Sequence, residues 1–238
     1  RAALASGGSG GGSGADWLFE FPAFLELDTS AIDSAVRSFA VWADGVLGAI
    51  RGALGGLVSG INWLLSHIPW PLLVLLVGVL GWKARGKIRS GVLYAVLFSL
   101  IGAVGYWDMM ELTLSIVIAS VIIALIIGLP VGILLSGSDR ANRIVRPILD
   151  TMQTMPVFVY LIPALLLFGT GNASAVIATV IYAVVPVIRL TSLGIRQVDK
   201  EVVEAAKAFG STKPQALFKV QIPQALPTIM TGVNQTLM

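Results

Sequence analysis

The segment from Lys200 to Pro223 has the residue types and spacing of an element that docks non-covalently onto another protein. A helix over residues 200–209 would place four apolar side chains on one face: Val202, Val203, Ala206 and Phe209. Its polar side chains would lie away from that face: Lys200, Glu204 and Lys207. Because Ala205 and Ala206 are small and favour helix, the backbone of another protein can approach them closely.

A second short helix is expected after this one. Gly210 stands where a helix ends with positive φ. The run Thr212-Lys213-Pro214-Gln215 then has the pattern of a capping box with proline in the first turn. A helix–glycine–helix hairpin with one apolar face is a docking element. An ordinary amphipathic hairpin is the alternative interpretation.

The sequence offers no set of side chains suited to catalysis or metal binding. Cysteine is absent, which excludes a disulfide framework, a thiolate nucleophile and a cysteine-based metal site. The single histidine, His67, cannot build a histidine-rich metal cluster and is interpreted as an interfacial residue. The phosphate-cradling pattern Gly-x-x-x-x-Gly-Lys-Ser/Thr is missing as well. We therefore expect no catalytic residue, no metal and no cofactor bound by this chain, with ATP bound by a partner.

Composition indicates a membrane protein. Of the 238 residues, 56% are hydrophobic and 12% are charged, and the mean hydropathy is +0.87. Soluble domains carry about 25% charged residues. The net charge of +3 does not indicate nucleic-acid binding, because the basic residues cluster beside apolar segments.

The N-terminal quarter of the chain divides into two regions. Residues 1–15 form a flexible Gly/Ser tract with no packing capacity. Residues 16–60 are expected to be amphipathic and interfacial, with a helix capped by Thr29 or Ser30 that runs towards Gly60. Its charged residues form one stripe: Asp33, Arg37, Asp44 and Arg51. The stripe predicts a helix lying on the membrane or against the bundle, since a crossing would submerge charges at about 2.5–3.5 kcal/mol each.

Four or five membrane crossings are predicted downstream, at about 61–82, 88–106, 112–135, 147–168 and 175–195. The first has the least certain start, because Pro69 and Pro71 interrupt it. A sixth begins at Pro223 and stops at Met238, which leads us to expect that the chain is truncated there.

Loop charges predict the orientation. Three alternate connections hold the basic residues: Lys83, Arg85, Lys87 and Arg89, then Arg140, Arg143 and Arg146, then Arg196, Lys200, Lys207, Lys213 and Lys219. The intervening connections, 107–111 and 169–174, contain no lysine or arginine. By the positive-inside rule the basic loops are cytoplasmic, and the docking segment falls in the third.

Polar residues precede a proline in the fourth predicted crossing: Thr151, Gln153, Thr154 and then Pro156. Because proline frees a backbone carbonyl, a broken helix lining a translocation path is one interpretation. Polar residues that hold helices together are the other. Arg189, near the inner end of the fifth crossing, is interpreted as snorkelling to the interface, with gating as the less favoured role.

The docking segment resembles the EAA loop of bacterial ABC-importer permeases, with Glu204, Ala205, Ala206 and Gly210 in the conserved slots and Val220, Ile222 and Pro223 at the aliphatic-proline ending. From about Tyr106 onward, the sequence resembles the permeases of glycine betaine/proline betaine ABC importers. The residues that carry this are runs such as Gly128-Leu129-Pro130-Val131-Gly132-Ile133, Asp150-Thr151-Met152-Gln153-Thr154-Met155-Pro156 and Leu226-Pro227-Thr228-Ile229-Met230-Thr231-Gly232.

This resemblance implies an all-α, polytopic membrane helical bundle of the type I ABC-importer (MetI-like) kind with cytoplasmic coupling helices. Residues 61–106 would be family-variable N-terminal crossings, and residues 107–238 the permease core. The implied partners are ABC ATPase subunits carrying ATP and Mg²⁺, a second permease copy in a homodimer, a substrate-binding protein and the lipid bilayer. The implied function is uptake of a small osmoprotectant. Alternatives are a permease for choline, carnitine or an amino acid, or an ATP-independent channel or secondary transporter.

Overall fold

The computed structural model describes Ser34, Ser38 and residues 41–237 of the chain. The helices with described bounds are α1 Asp44–Ser66, α2 Trp70–Arg85, α3 Ile88–Ala103, α4 Trp107–Ser136, α5 Asp139–Thr154, α6 Phe158–Phe168, α7 Asn172–Arg196, α8 Lys200–Ala208, α9 Lys213–Ala216 and α10 Ile222–Thr236. A π-helical segment, Leu217–Gln221, joins α9 to α10. The all-α prediction is confirmed. The Gly/Ser tract, the predicted cap at Thr29 or Ser30, and Asp33 and Arg37 lie outside the described residues.

Helix α7 is the centre of the bundle and contacts α1, α4, α5, α6 and α10. Its most extensive contact is with α4, and small residues allow the two backbones to approach closely. A Cβ atom built on Gly132 of α4 would lie 2.6 Å from Thr191 Cβ and 2.9 Å from the Ile188 carbonyl oxygen. Glycine is therefore required at this crossing.

Two helices, α4 and α7, are each long and apolar enough to cross a membrane. At 1.5 Å per residue, the 30 residues of α4 span about 45 Å, which exceeds the roughly 30 Å of bilayer hydrocarbon. Two bent helix pairs, α1 with α2 and α5 with α6, raise the number of candidate spans to four if each pair counts as one. Helix α3 is apolar but has only 16 residues. The predicted crossings at 112–135 and 175–195 correspond to α4 and α7.

The predicted crossing at 61–82 is wrong as a single helix. Helix α1 continues past Gly60 to Ser66, and the chain then bends by 94° before α2. Proline explains the break, because Pro69 cannot donate a backbone hydrogen bond and takes an extended conformation with ψ of 133°. Helix α1 continues through Gly60 because its buried Val58 packs with Ala119 of α4 and Val176 of α7. Of the two locations predicted for this helix, its described part lies against the bundle.

Helices α2 and α3 form a hairpin that packs mainly on itself. Helix α3 ends at Ala103, earlier than the predicted 106, and Gly105 adopts φ of 86° in the turn to α4. The outer faces of the hairpin expose many large aliphatic side chains, including Leu76 and Leu80 on α2 and Leu93 and Leu97 on α3. Such a surface is suited to contact with lipid.

The fourth predicted crossing, 147–168, falls on two helices, α5 and α6. Helix α5 begins earlier, at Asp139, where Ser138 Oγ accepts a hydrogen bond from the Ala141 N–H at 3.3 Å. The chain then bends by 92° between Thr154 and Phe158. The bend coincides with Pro156, and the preceding residue, Met155, is extended with ψ of 135° as a residue before proline prefers. The helix is therefore broken at Pro156, as one of the two interpretations of this segment requires.

Candidate functional site

The predicted docking hairpin is present, and hydrogen bonds fix both of its turns. Asp199 caps α8, because its Oδ1 accepts from the Glu201 N–H at 2.9 Å. At the other end, the Ser211 N–H donates to the Ala206 carbonyl at 3.0 Å and the Gly210 N–H to the Lys207 carbonyl at 2.9 Å. These two bonds define a Schellman motif, which needs a residue with positive φ in its penultimate place. Gly210 supplies it with φ of 84°.

The second helix starts as its sequence predicts. Gln215 Oε1 accepts a hydrogen bond from the Thr212 N–H at 2.9 Å, which is the reciprocal half of a capping box. The short α9 then passes into the π-helical segment 217–221, which the sequence pattern did not predict. Such segments often occur at functional sites.

The apolar side chains of α8 divide into a half-buried group and an exposed group, whereas the sequence predicted one shared face. Val203 and Ala206 are half-buried and face the bundle. Val202, Ala205 and Phe209 are exposed, and Phe209 is 91% exposed. The predicted face is wide enough for one edge to anchor the helix while the other points outward. Phe218 on the π-helical segment is also exposed, at 62%. The hairpin and the segment after it therefore each expose one aromatic side chain.

The end of the hairpin is anchored in the bundle. Ile222 packs against a buried cluster of Ile195, Ala225 and Ile229, which joins α7 to α10. Pro223 lies in the first turn of α10, directly after the π-helical segment. Val220, two residues before Ile222, is half-buried. Side-chain contacts therefore join the end of the hairpin to α7 and α10.

Glu204 lines a cavity of about 480 Å³ beneath the hairpin, together with Lys200, Lys207 and Lys213. The opposite wall of this cavity is formed by Ile133, Ser136 and Gly137 at the end of α4. Within the described residues, the three ion pairs do not involve Glu204. Its carboxylate is therefore available to a group outside this chain or to a neighbouring lysine.

The four polar or proline residues predicted near a translocation path lie at the end of α5. Thr151 donates to the Pro147 carbonyl at 2.8 Å, and Thr154 donates to the Thr151 carbonyl at 2.8 Å. These hydroxyl groups are satisfied by their own helix and do not hold helices together. Gln153 does connect helices, because its Oε1 accepts from Arg189 Nη1 at 2.6 Å. Pro156 is exposed at the bend.

The sequence position of Arg189 predicted a side chain that snorkels to the interface. In the structure its guanidinium also contacts two side chains of α5. Besides its bond to Gln153, its Nη1 lies 3.1 Å from Asp150 Oδ1, an ion pair that lacks hydrogen-bond alignment. Asp150 Oδ2 lies 4.0 Å from Arg146 Nε one turn earlier on α5. Helix α5 places the carboxylate of Asp150 and the amide of Gln153 against α7 at the level of Arg189. The guanidinium therefore bridges the broken helix and the central helix.

A second arginine ties the same end of the bundle together. Arg196 Nη1 donates to the Ser136 carbonyl at 3.2 Å, and its Nη2 pairs with Asp139. The hydrogen bond from Arg196 and its positive charge lower the pKa of Asp139, an exposed carboxyl at the first residue of α5. The second and third basic loops thus meet at one end of the bundle.

Sequence reasoning missed the partners of Arg189 and the exposed position of Phe218. The i, i+3 spacing of Asp150 and Gln153 gave a signal for a shared helix face. Their contact with Arg189 depends on the bend at Pro156 and on the packing of α5 against α7, which no local pattern specifies.

Comparison with known proteins agrees with this geometry. Residues 124–238 match the family described as binding-protein-dependent transport system inner membrane component. The glycine betaine/proline betaine transport system permease protein ProW of Escherichia coli is 42% identical over 95% of this chain and 68% of its own length. The glycine betaine transport system permease protein OpuAB of Bacillus subtilis is 44% identical over 87% of this chain and 72% of its own.

A third relative, the glycine betaine/carnitine transport permease protein GbuB of Listeria monocytogenes, is 44% identical over 82% of this chain and 70% of its own length. These alignments extend well beyond the docking hairpin and cover most of the bundle. The prediction of a permease of this kind is confirmed. The chain belongs to the family of inner-membrane components of binding-protein-dependent transport systems.

Proposed function

We propose that this chain is the membrane-spanning permease subunit of an ATP-driven importer for a small osmoprotectant, with glycine betaine or proline betaine as the favoured solute. The observation that carries the proposal is the hairpin α8–α9, whose Schellman turn is intact and whose apolar edge points away from the bundle. A channel or secondary transporter would have no need for such an element.

The choice of solute rests on the relatives. The names of the three similar permeases specify glycine betaine, proline betaine or carnitine. Each of these solutes carries a fully substituted, positively charged nitrogen and a carboxylate. Carnitine is the second candidate, because the Listeria monocytogenes relative names it beside glycine betaine.

We propose that the hairpin faces the cytoplasm and docks in a cleft of an ABC ATPase subunit. Val202, Ala205 and Phe209 would supply the apolar contact, while Glu204 would pair with a basic group of the partner or of this hairpin. Closure of the ATPase dimer would displace α8, and the packing of Ile222 against Ile195 would transmit that displacement to α7 and α10.

The complete importer would contain two copies of this permease, two ATPase subunits and a substrate-binding protein. ATP and Mg²⁺ would be bound and hydrolysed on the ATPase, while this chain would contribute the coupling residues Glu204, Ala205, Ala206, Gly210, Val220, Ile222 and Pro223. The core of the permease would occupy residues 107–238 and be surrounded by lipid.

The bend at Pro156 is proposed to line the translocation path. Thr151 and Thr154 are exposed there, and their hydroxyl oxygens retain accepting capacity after donating to the helix. Gln153 would position Arg189 beside the path.

Uptake into sealed vesicles tests this proposal. Full-length permease, its cognate ATPase and its binding protein are reconstituted, and entry of radiolabelled glycine betaine is followed with and without ATP. We expect ATP-dependent uptake that unlabelled proline betaine or carnitine competes with more strongly than choline or an amino acid does. Uptake without ATP contradicts the coupling, and stronger competition by choline or an amino acid contradicts the choice of solute.

A further inference from the structure

A cavity of about 230 Å³ lies between α5 and α7 at the end of the bundle that carries the basic loops. Two helical stripes supply its polar lining. On α7, Arg189, Ser192 and Arg196 recur at spacings of three and four, and on α5, Asn142 and Arg146 are four apart. The rest of the lining is leucine and isoleucine. Five residues with hydrogen-bond donors thus line one space.

Ser192 is the informative member of this group. Its side chain is 4% exposed, and its Oγ has no hydrogen-bond partner. A buried hydroxyl without a partner destabilises a folded protein, and a bound ion or water is one of the explanations for such a group. Ser192 lines the cavity, and the side chain of Asn142 on the opposite helix also makes no hydrogen bond within the described residues.

The charges around the cavity do not balance. Arg146, Arg189 and Arg196 line it, and Arg143 lines the wider opening beside it. The carboxylates facing this region are Asp139, paired with Arg196, and Asp150, paired with Arg189 and Arg146. Four cations against two anions leave a surplus of two positive charges.

We propose that this cavity binds a small oxyanion of the carboxylate or phosphate class. Guanidinium groups match the oxygen geometry of such anions, and the Ser192 hydroxyl and the Asn142 amide add neutral donors. No aromatic ring lines the cavity, so it does not suit a quaternary ammonium group. The bound anion joins α5 to α7 and offsets the positive charge beside the broken helix. This inference goes beyond the proposed uptake function and does not depend on which solute is carried.

Thermal unfolding of the purified full-length permease in detergent tests the proposal, with tryptophan fluorescence as the readout. Sodium phosphate and sodium acetate are titrated separately against sodium chloride at equal ionic strength. We expect a saturable rise in Tm with at least one oxyanion. Ser192→Ala leaves the starting Tm unchanged or higher, because the hydroxyl has no protein partner. It raises the half-saturating oxyanion concentration about tenfold, because a hydrogen bond to a charged group is lost.

Two controls make the result specific. Arg146→Gln weakens the response, whereas Arg140→Gln, which removes the same charge from α5 outside the cavity lining, retains it. Equal responses of wild type and Ser192→Ala overturn the proposal, as does the absence of a response to both oxyanions. A Tm rise produced only by phosphatidylglycerol added to the micelles, and not by either free oxyanion, also overturns it by assigning the site to a lipid headgroup.

Discussion

Replacing Gly210 by alanine tests whether the geometry of the hairpin turn is what couples this permease to its ATPase. Gly210 has φ of 84°, and a Cβ atom built on it would meet no other atom within 4 Å. The substitution therefore introduces backbone strain without any steric clash inside the chain. For an alanine in the left-handed region that strain is about 1–2 kcal/mol.

The strain acts on the Schellman bonds from Gly210 to Lys207 and from Ser211 to Ala206. A penalty of this size reduces the population of the intact turn by a factor of about 5–30 relative to opened forms. We propose that the ATPase binds only the intact turn, which fixes the position of Phe209 relative to the start of α9, and we expect the rate of ATP-driven uptake to fall by up to the same factor. The amount of inserted protein should change little, since the turn is exposed.

Gly105 provides a matched control. It has φ of 86°, its added Cβ would also meet nothing within 4 Å, and it lies in the α3–α4 turn, away from the hairpin. Gly105→Ala carries the same strain but should transport normally. The assay measures uptake and ATPase activity side by side in reconstituted vesicles. Equal uptake by the two variants, or normal uptake by Gly210→Ala, would refute the reasoning.

Three further predictions follow from particular contacts. Phe209→Ser should change the free energy of unfolding by no more than about 0.5 kcal/mol, because the ring is 91% exposed, yet it should abolish copurification of the ATPase. Retention of the ATPase by this variant would contradict the docking face. Gly132→Ala should destabilise the bundle by about 1–3 kcal/mol through overpacking against α7, measured as a lower Tm, while Gly137→Ala, whose Cβ would have its nearest neighbour at 3.6 Å, should be tolerated. In intact cells, a cysteine at exposed Thr170 should react with an impermeant thiol reagent and one at exposed Ala208 should not; the reverse pattern would invert the proposed orientation.

Local sequence signals predicted those parts of the molecule that local interactions determine. The turn at Gly210 depends on a single φ angle and on bonds within six residues, so the glycine and the flanking helix formers were sufficient. The same holds for α4 and α7. Their apolar runs are long enough to span a bilayer, where a helix pairs the backbone polar groups within the segment itself. The bend at Pro156 was likewise signalled by the proline itself.

Features that depend on how helices pack were predicted less well. The continuation of α1 past Gly60 accompanies the packing of buried Val58 against α4 and α7, whereas the sequence pattern placed the end of the helix near Gly60. The division of the apolar side chains of α8 into a half-buried and an exposed group depends on where the bundle lies. The pairing of Arg189 with Asp150 and Gln153 joins residues 36 or more positions apart, and it required the three-dimensional placement of α5 against α7.

Site-specific photo-crosslinking tests the central claim most directly, since it reports physical contact between the hairpin and the ATPase. A benzophenone-bearing residue is placed at position 209 of the full-length permease in cells that produce its ATPase, with a second variant labelled at position 126. Ile126 is 67% exposed on α4, within a predicted membrane span, and serves as the lipid-facing control. We predict a covalent adduct with the ATPase on illumination at position 209 and none at position 126. No adduct at position 209, or equal adducts at both positions, would contradict the account.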